Sequence, residues 1–234
     1  MKSTLFEIQE RFDNDVERFS NLETGQISTV DATLSLELLT QAAGACCPNA
    51  KQVLDLGCGA GNYSLKLLEL IPDFDSTLID LSQPMLNKAK ERISEVSEGK
   101  ITTIQTDFLS MELPENTFDI VVTGAALHHL RTDEEWEKVF SKIYKSLKKG
   151  GCFWISDLIL HDNPAINQLM WKRYSNYLEN IGGKEYRENV FAYIEKEDTP
   201  RSVMYQLDLM KKIGFSYIDV LHKNSNFSVF GGIK

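Results

Sequence analysis

The stretch VLDLGCGAGNYS, residues 53–64, decides the fold. An apolar run ends in three glycines, Gly57, Gly59 and Gly61, and a segment able to form a helix follows. Inside regular structure glycine costs roughly 0.5–1 kcal/mol relative to alanine. Its repetition here therefore requires a tight turn or the close approach of something to the main chain. A strand feeding a glycine-rich turn that opens a helix is a ligand-binding unit of open α/β sheets. Ligands sit beyond the carboxyl ends of the strands, where the strand order reverses, and helix N–H groups face them.

Outward from this turn the chain alternates. QVLDL (52–56), STLID (76–80), ITTIQT (101–106), FDIVVT (118–123) and CFWISD (152–157) read as strands. Helices are expected after Gly61 to about residue 71, after Ser82 with Leu81, Met85, Ala89 and Ile93 on one face, and after a Thr132/Glu135 capping box. Such alternation argues for a parallel sheet covered on both faces. Before it, Leu5, Ile8, Phe12, Val16 and Phe19 recur at helical spacing, and a second helix is expected over about 29–45. After residue 160 the pattern weakens. A helix is expected over about 163–181, broken by Gly182-Gly183, then a polar irregular stretch over 184–200 and a helix over about 201–213. FSYIDVLH and FSVFGGI, separated by KNSN, close the chain as an antiparallel pair.

A length of 234 residues suits one large domain. The expected divisions are 1–45 as N-terminal cap helices, 46–160 as the cofactor-binding core, 161–200 as a substrate lid and 201–234 as the last helix and hairpin. No apolar run approaches the roughly 20 residues needed to cross a bilayer. The amphipathic, soon acidic N-terminus is unlike a secretory leader, so a cytoplasmic enzyme without a membrane partner is expected. Cys46, Cys47, Cys58 and Cys152 form no C-x-x-C pair, and no metal site is expected from their spacing. A net charge of −9 argues against a nucleic-acid partner.

Asp80 ends the second strand about 20 residues past the glycines, where an acid can accept hydrogen bonds from ribose hydroxyls. Asp107 ends the third strand and Gly124 follows the fourth, so all these positions fall on one sheet edge. The nicotinamide fingerprint is G-x-G-x-x-G, but here the third glycine comes one residue early and Asp55 precedes the first. The row resembles D-x-G-x-G-x-G, the first motif of the class I S-adenosylmethionine-dependent methyltransferases. LIDLS (78–82), QTDF (105–108), FDIVVTGAALHHL (118–130), LKKGGCFWISD (147–157) and IGFSYIDVL (213–221) resemble that family's later motifs in order.

The resemblance implies a Rossmann-like, doubly wound α/β fold. Its seven-stranded sheet would have the order 3-2-1-4-5-7-6, with the last strand antiparallel and helices on both faces. It implies S-adenosylmethionine as cofactor and S-adenosylhomocysteine as product. Gly57, Cys58, Gly59 and Gly61 would let the backbone approach the methionine part, and Asp55 would orient its ammonium group. Asp80 would hold the ribose, Leu81 and Met85 would flank the adenine, and Asp107, with Phe108 nearby, would accept its amino group. Thr123 and Gly124 would offer backbone oxygens. The first helix, with Phe12 and Phe19, resembles the segment that closes over the cofactor in small-molecule members.

A sulfonium donor is already activated, so positioning supplies most of the catalysis. A base is needed only where the acceptor must lose a proton. His128 and His129 lie just past the fourth strand and Asp157 ends the fifth. One histidine supported by Asp157 is therefore the candidate base for an oxygen or nitrogen acceptor; packing on the cofactor is the other role open to that loop. Trp171 and Tyr174 either line the acceptor or face the core. TGAALHHL lacks the Asn/Asp-Pro-Pro-aromatic motif of base-amino methylation. Three other readings stand beside small-molecule methyl transfer. The FDNDVERF start and the chain's end resemble the carboxy-S-adenosylmethionine synthases, although Gly59 replaces the bulkier residue expected there. An arsenite methyltransferase would need thiols at the active edge, where Cys46, Cys47 and Cys152 are not expected. The third is a non-catalytic cofactor-binding regulator. Homodimerisation is left open.

Overall fold

The computed structural model describes residues 2–21 and 26–234. Seven strands form one sheet: β1 (Gln52–Leu56), β2 (Asp75–Asp80), β3 (Ile101–Gln105), β4 (Phe118–Gly124), β5 (Leu147–Leu158), β6 (Ser216–Asn224) and β7 (Phe227–Ile233). Their order is β3-β2-β1-β4-β5-β7-β6, with β7 antiparallel to both neighbours and the other pairings parallel. The expected order and the terminal hairpin are both present. The order reverses between β1 and β4, so the glycine turn opens at the crevice where α/β sheets bind ligands.

Alternation along the central strands sends successive side chains to opposite layers. Val53, Ile120, Val122, Cys152 and Trp154 pack with Leu36, Leu39 and Leu67 on one side. Leu54, Leu56, Val121, Phe153 and Ile155 pack with Trp136, Phe140 and Ile143 on the other. The first side is covered by α3 (Ala32–Cys46) and α4 (Asn62–Leu68), the second by α6 (Asp133–Ser146) and α8 (Val203–Ile213). α5 (Gln83–Ser94) starts at Ser82, whose hydroxyl accepts the Met85 N–H, and α6 starts at the expected Thr132/Glu135 capping box.

Two expectations need correction. The first amphipathic segment is not one helix: α1 (Leu5–Asn14) and α2 (Val16–Ser20) meet at Asp15, whose ψ of 14° breaks the run. Residues 184–200 are not irregular either. The chain is helical as α7 (Pro164–Glu197), interrupted only by the backbone of Gly183 at φ 77°, ψ −175°. Val190 and Ile194 pack on Tyr174 and Leu178 across that break, and this apolar contact overrides the segment's polar composition. Residues 22–25 of the expected N-terminal cap lie outside the described residues. No helix among the described residues is long and apolar enough to cross a membrane.

Candidate active site

At the carboxyl ends of β1, β2 and β4 lies a cavity of about 280 Å³. Its floor is the glycine turn. Gly57 and Gly59 have φ of 65° and 50°, in the left-handed region that disfavours side chains. They differ in surroundings: a Cβ on Gly57 would sit 2.6 Å from the Ala126 Cβ, whereas one on Gly59 would meet nothing within 4 Å. Gly57 is thus required by packing, and Gly59 lines the cavity with open space where its side chain would be. Gly61 serves a third purpose. A Cβ there would press on Ala89 at 3.1 Å, so it permits close contact with α5 and does not line the cavity.

Asp80 joins two of these elements. Its Oδ2 accepts the Gly59 N–H at 2.8 Å and its Oδ1 the Ser82 N–H at 2.9 Å. Burial pushes its pKa up against these hydrogen bonds. Cys58, Leu81, Met85, Asp107, Phe108 and Gly124 also line the cavity. Asp107 Oδ1 accepts the N–H groups of Leu109 and Ser110 at 2.8 and 3.0 Å. Burial works against its charge, but the Ser110 and Leu109 bonds outweigh that and hold the carboxyl below its usual range.

Asp55 and Thr123 lie beneath this lining. The Asp55 Oδ2 accepts both the N–H and hydroxyl of Ser64, at the start of α4, while Oδ1 is buried without a partner. Burial pushes its pKa up to about 7. The Thr123 hydroxyl donates to Leu56 O at 2.8 Å, tying β4 to β1. The next residue but one, Ala125, takes φ 51°, a strained conformation held where both cavities meet.

A smaller cavity of about 90 Å³ adjoins the first. Phe12, Phe19, Gln26, Tyr63, Ala125 and His129 line both. His128, Asp157 and Tyr174 line only the smaller one, and Trp171 lines neither. Trp171 packs instead against Tyr174 in a tilted contact and edge-to-face against Phe191, so it belongs to the core-facing stripe. Tyr174 is buried, with its hydroxyl donating to Ser28 O at 2.9 Å.

The two histidines are held differently. Asp157 Oδ2 accepts the His128 main-chain N–H at 3.0 Å and its Oδ1 pairs with the ring Nδ1. Burial disfavours a charged ring, but Asp157 and Asp198 outweigh it, and the His128 pKa is pushed up to about 9. The two carboxylates thus favour the charged form of the His128 ring. His129 has its Nδ1 3.2 Å from Asp198 Oδ1. The expected pairing of a histidine with Asp157 exists, and it falls on His128, whereas His129 faces Asp198.

Sequence reasoning missed Asp198, Arg11, Asn62 and Tyr63. Asp198 follows α7 in a segment with no motif. Arg11 Nε donates to Glu197 Oε1 at 2.9 Å and anchors α1 over the site. Asn62 Nδ2 donates to Phe19 O at 3.0 Å. The Tyr63 ring fills the space a Gly124 side chain would need, within 2.1 Å of the Cβ position. Cys47 Sγ and Cys152 Sγ lie 3.8 Å apart, beside Asp119 O and Gly150 O, at the opposite ends of the strands from the site.

The lining suits an adenosine with a charged amino-acid tail: two acids at β2 and β3, an apolar wall of Leu81, Met85 and Phe108, and open space at Gly59. Comparisons with known proteins agree. Residues 53–151 match the methyltransferase domain family. The carboxy-S-adenosyl-L-methionine synthase of Nautilia profundicola is 27% identical over 184 residues, covering 78% of this chain and 77% of that protein. The enzyme of that name from Helicobacter pylori strain G27 is 28% identical over 193 residues, covering 80% and 77%. Among solved structures, human N-acetylserotonin methyltransferase in complex with S-adenosylmethionine superposes with a TM-score of 0.65 at 20% identity, over 99% of this chain and 59% of that one. The S-adenosylmethionine-dependent methyltransferase of Mesorhizobium loti gives 0.57 at 18%, over 83% and 96%. Fold, glycine turn and domain match converge: this chain is an S-adenosylmethionine-dependent enzyme of the class I methyltransferase fold, with its methyltransferase domain at residues 53–151.

Proposed function

We propose that the enzyme transfers a methyl group to oxygen or nitrogen of a small-molecule acceptor held in the smaller cavity. The observation that carries this reading is the wall shared by the two cavities, with His129 in it. The bound cofactor supplies a sulfonium methyl open to in-line attack. The chain's residues do the rest. Gly57, Gly59 and Asp80 position the donor end. Phe12 and Phe19 roof it and exclude water, which strengthens electrostatic interactions inside. His129, backed by Asp198, takes the acceptor's proton, while His128 stays charged between Asp157 and Asp198 and fixes the loop.

Incubation with methyl-labelled S-adenosylmethionine and a panel of phenols, hydroxy acids and amines tests this. A labelled product and S-adenosylhomocysteine are expected. His129→Ala should slow turnover about 10²–10⁴-fold while leaving cofactor affinity near wild type. Cofactor binding with no transfer across the panel would make the chain a regulator.

The relatives favour a second reading, carboxylation of the cofactor itself. Gly59, with open space beside it, supports the first. Mass spectrometry of the nucleotide released from purified protein separates them, since a carboxylated sulfonium would be carried only under the second.

A further inference from the structure

The turn after β4 and the end of α7 converge on one point. His128 Nε2 lies 3.7 Å from Asp198 Oδ1, and His129 Nδ1 lies 3.2 Å from the same oxygen. One donor atom from each of the three residues lies within 4.8 Å of the other two. Donors bound about 2.0–2.2 Å from one divalent cation sit about 3–4 Å apart, so this set would need only small side-chain adjustment to share an ion.

Two of the three donors have only each other and His128 as polar neighbours. His129 Nδ1 and Asp198 Oδ1 lie 3.2 Å apart, both buried, in a contact that falls short of hydrogen-bond geometry. Native proteins rarely leave buried polar atoms so. The third donor has its support in place, and it releases its Nε2 proton to solvent when a cation binds. Asp157 grips the His128 Nδ1 and main-chain N–H, which turns Nε2 toward Asp198. Metal-bound histidines almost always have a carboxylate, a main-chain carbonyl or water on the far nitrogen in this way. Thr199 N–H donates to His128 O at 2.7 Å, which pins the Asp198 segment to the histidine turn. A protonated His128 between two carboxylates accounts for the charges without an ion. It leaves the 3.2 Å contact between His129 Nδ1 and Asp198 Oδ1 short of hydrogen-bond geometry.

We propose that His128, His129 and Asp198 form a binding site for a divalent transition-metal cation, with Asp157 as the positioning residue behind His128. Two imidazoles and one carboxylate suit zinc, cobalt, iron or manganese in preference to calcium or magnesium, which take oxygen donors. Three protein donors leave coordination positions for the smaller cavity, which all three residues line. An acceptor bearing a hydroxyl, carboxylate or carbonyl oxygen would fill them. The cation takes the His129 nitrogen that faces Asp198, so in the loaded protein acidification of the acceptor falls to the metal. This last role rests on the methyl-transfer reading; the site itself does not.

The test is titration of chelator-treated full-length protein with Co(II), followed by calorimetry and by visible ligand-field bands. One equivalent is expected, displaced by Zn(II). His129→Ala and Asp198→Asn should each weaken binding at least about 100-fold, and Asp157→Asn about 10–100-fold. Thermal melting and S-adenosylmethionine titration on the same samples show that each variant folds. Wild-type protein that takes up no Co(II) below millimolar concentration overturns the site, as does Asp198→Asn that binds it equally well. Labelled methyl transfer is measured on the same samples. Its loss with Co(II) binding intact overturns the proposed function and leaves the metal site standing.

Discussion

Asp80 accepts the Gly59 main-chain N–H at 2.8 Å, so the acid that ends β2 also fixes the turn that ends β1. Both its oxygens accept, the other from Ser82. In Asp80→Asn an amide nitrogen must face one of these donors. Hydrogen bonds to charged groups contribute about 1.5–3 kcal/mol, so the variant should lose roughly 10–100-fold in S-adenosylmethionine affinity by calorimetry. Wild-type affinity in Asp80→Asn would show that the acid supports neither the turn nor the ribose.

Gly57 and Gly59 separate folding from binding. Alanine in the left-handed region costs roughly 1–2 kcal/mol, and overpacking a further 1–3 kcal/mol. Gly57→Ala bears both, because of Ala126, and should melt markedly lower. Gly59→Ala bears only the first, so its melting point should fall less while its cofactor affinity falls more. The reverse ranking in paired melting and binding measurements would contradict this division.

Asp55 gives the ligand-free protein a pH signature. Its folded pKa is raised to about 7 by burial, against about 3.9 in an unfolded chain. Between these values the folded state holds the proton and the unfolded state does not, so stability falls as pH rises from about 4 to about 7. The slope is about 1.4 kcal/mol per pH unit at most. Asp55→Asn should remove that component, so the difference in stability between variant and wild type should shift in the variant's favour from pH 5 to pH 8. Denaturant melts at the two pH values check it; a constant difference would rule it out.

A largely buried ion pair helps to latch the roof of the cofactor cavity. Arg11 donates to both oxygens of Glu197, which is 6% exposed. Arg11→Ala leaves that carboxylate buried and unpaired. Amide exchange over residues 5–20 should quicken about 10–100-fold, matching the loss of about 1.5–3 kcal/mol, and cofactor release should quicken with it. Unchanged exchange there would mean that the remaining contacts, among them Asn62 to Phe19 O and Ser3 N–H to Lys196 O, hold α1 and α2 without the ion pair.

The parts of the site that were legible in sequence are those the sheet imposes. Asp80, Asp107 and Gly124 are strand-end positions, and a parallel sheet brings its strand ends to one edge whatever the loops do. Gly61, Asp55 and Thr123 were placed correctly along the chain, but their side of the backbone was not readable, and all three turn toward packing. Asp198 and Arg11 were out of reach for another reason. Each acts on a residue distant in sequence, Arg11 on Glu197 and Asp198 on His129, and no local periodicity records such a meeting. The helix over 184–197 was missed because its apolar residues face Tyr174 and Leu178 and not the sheet, so its polar face dominates the composition.

Gly183 sits between Tyr174 on one arm of α7 and Tyr193, Ile194 and Asp198 at the far end of the other, and all four line the smaller cavity. Its backbone occupies a region essentially reserved for glycine, so the bend angle is set at a single residue remote from the chemistry. If the smaller cavity holds the acceptor as proposed, its preference can diverge, in nature or in a directed-evolution library, through changes around residues 180–186 that re-aim one wall of the cavity and leave the donor half of the enzyme as it is.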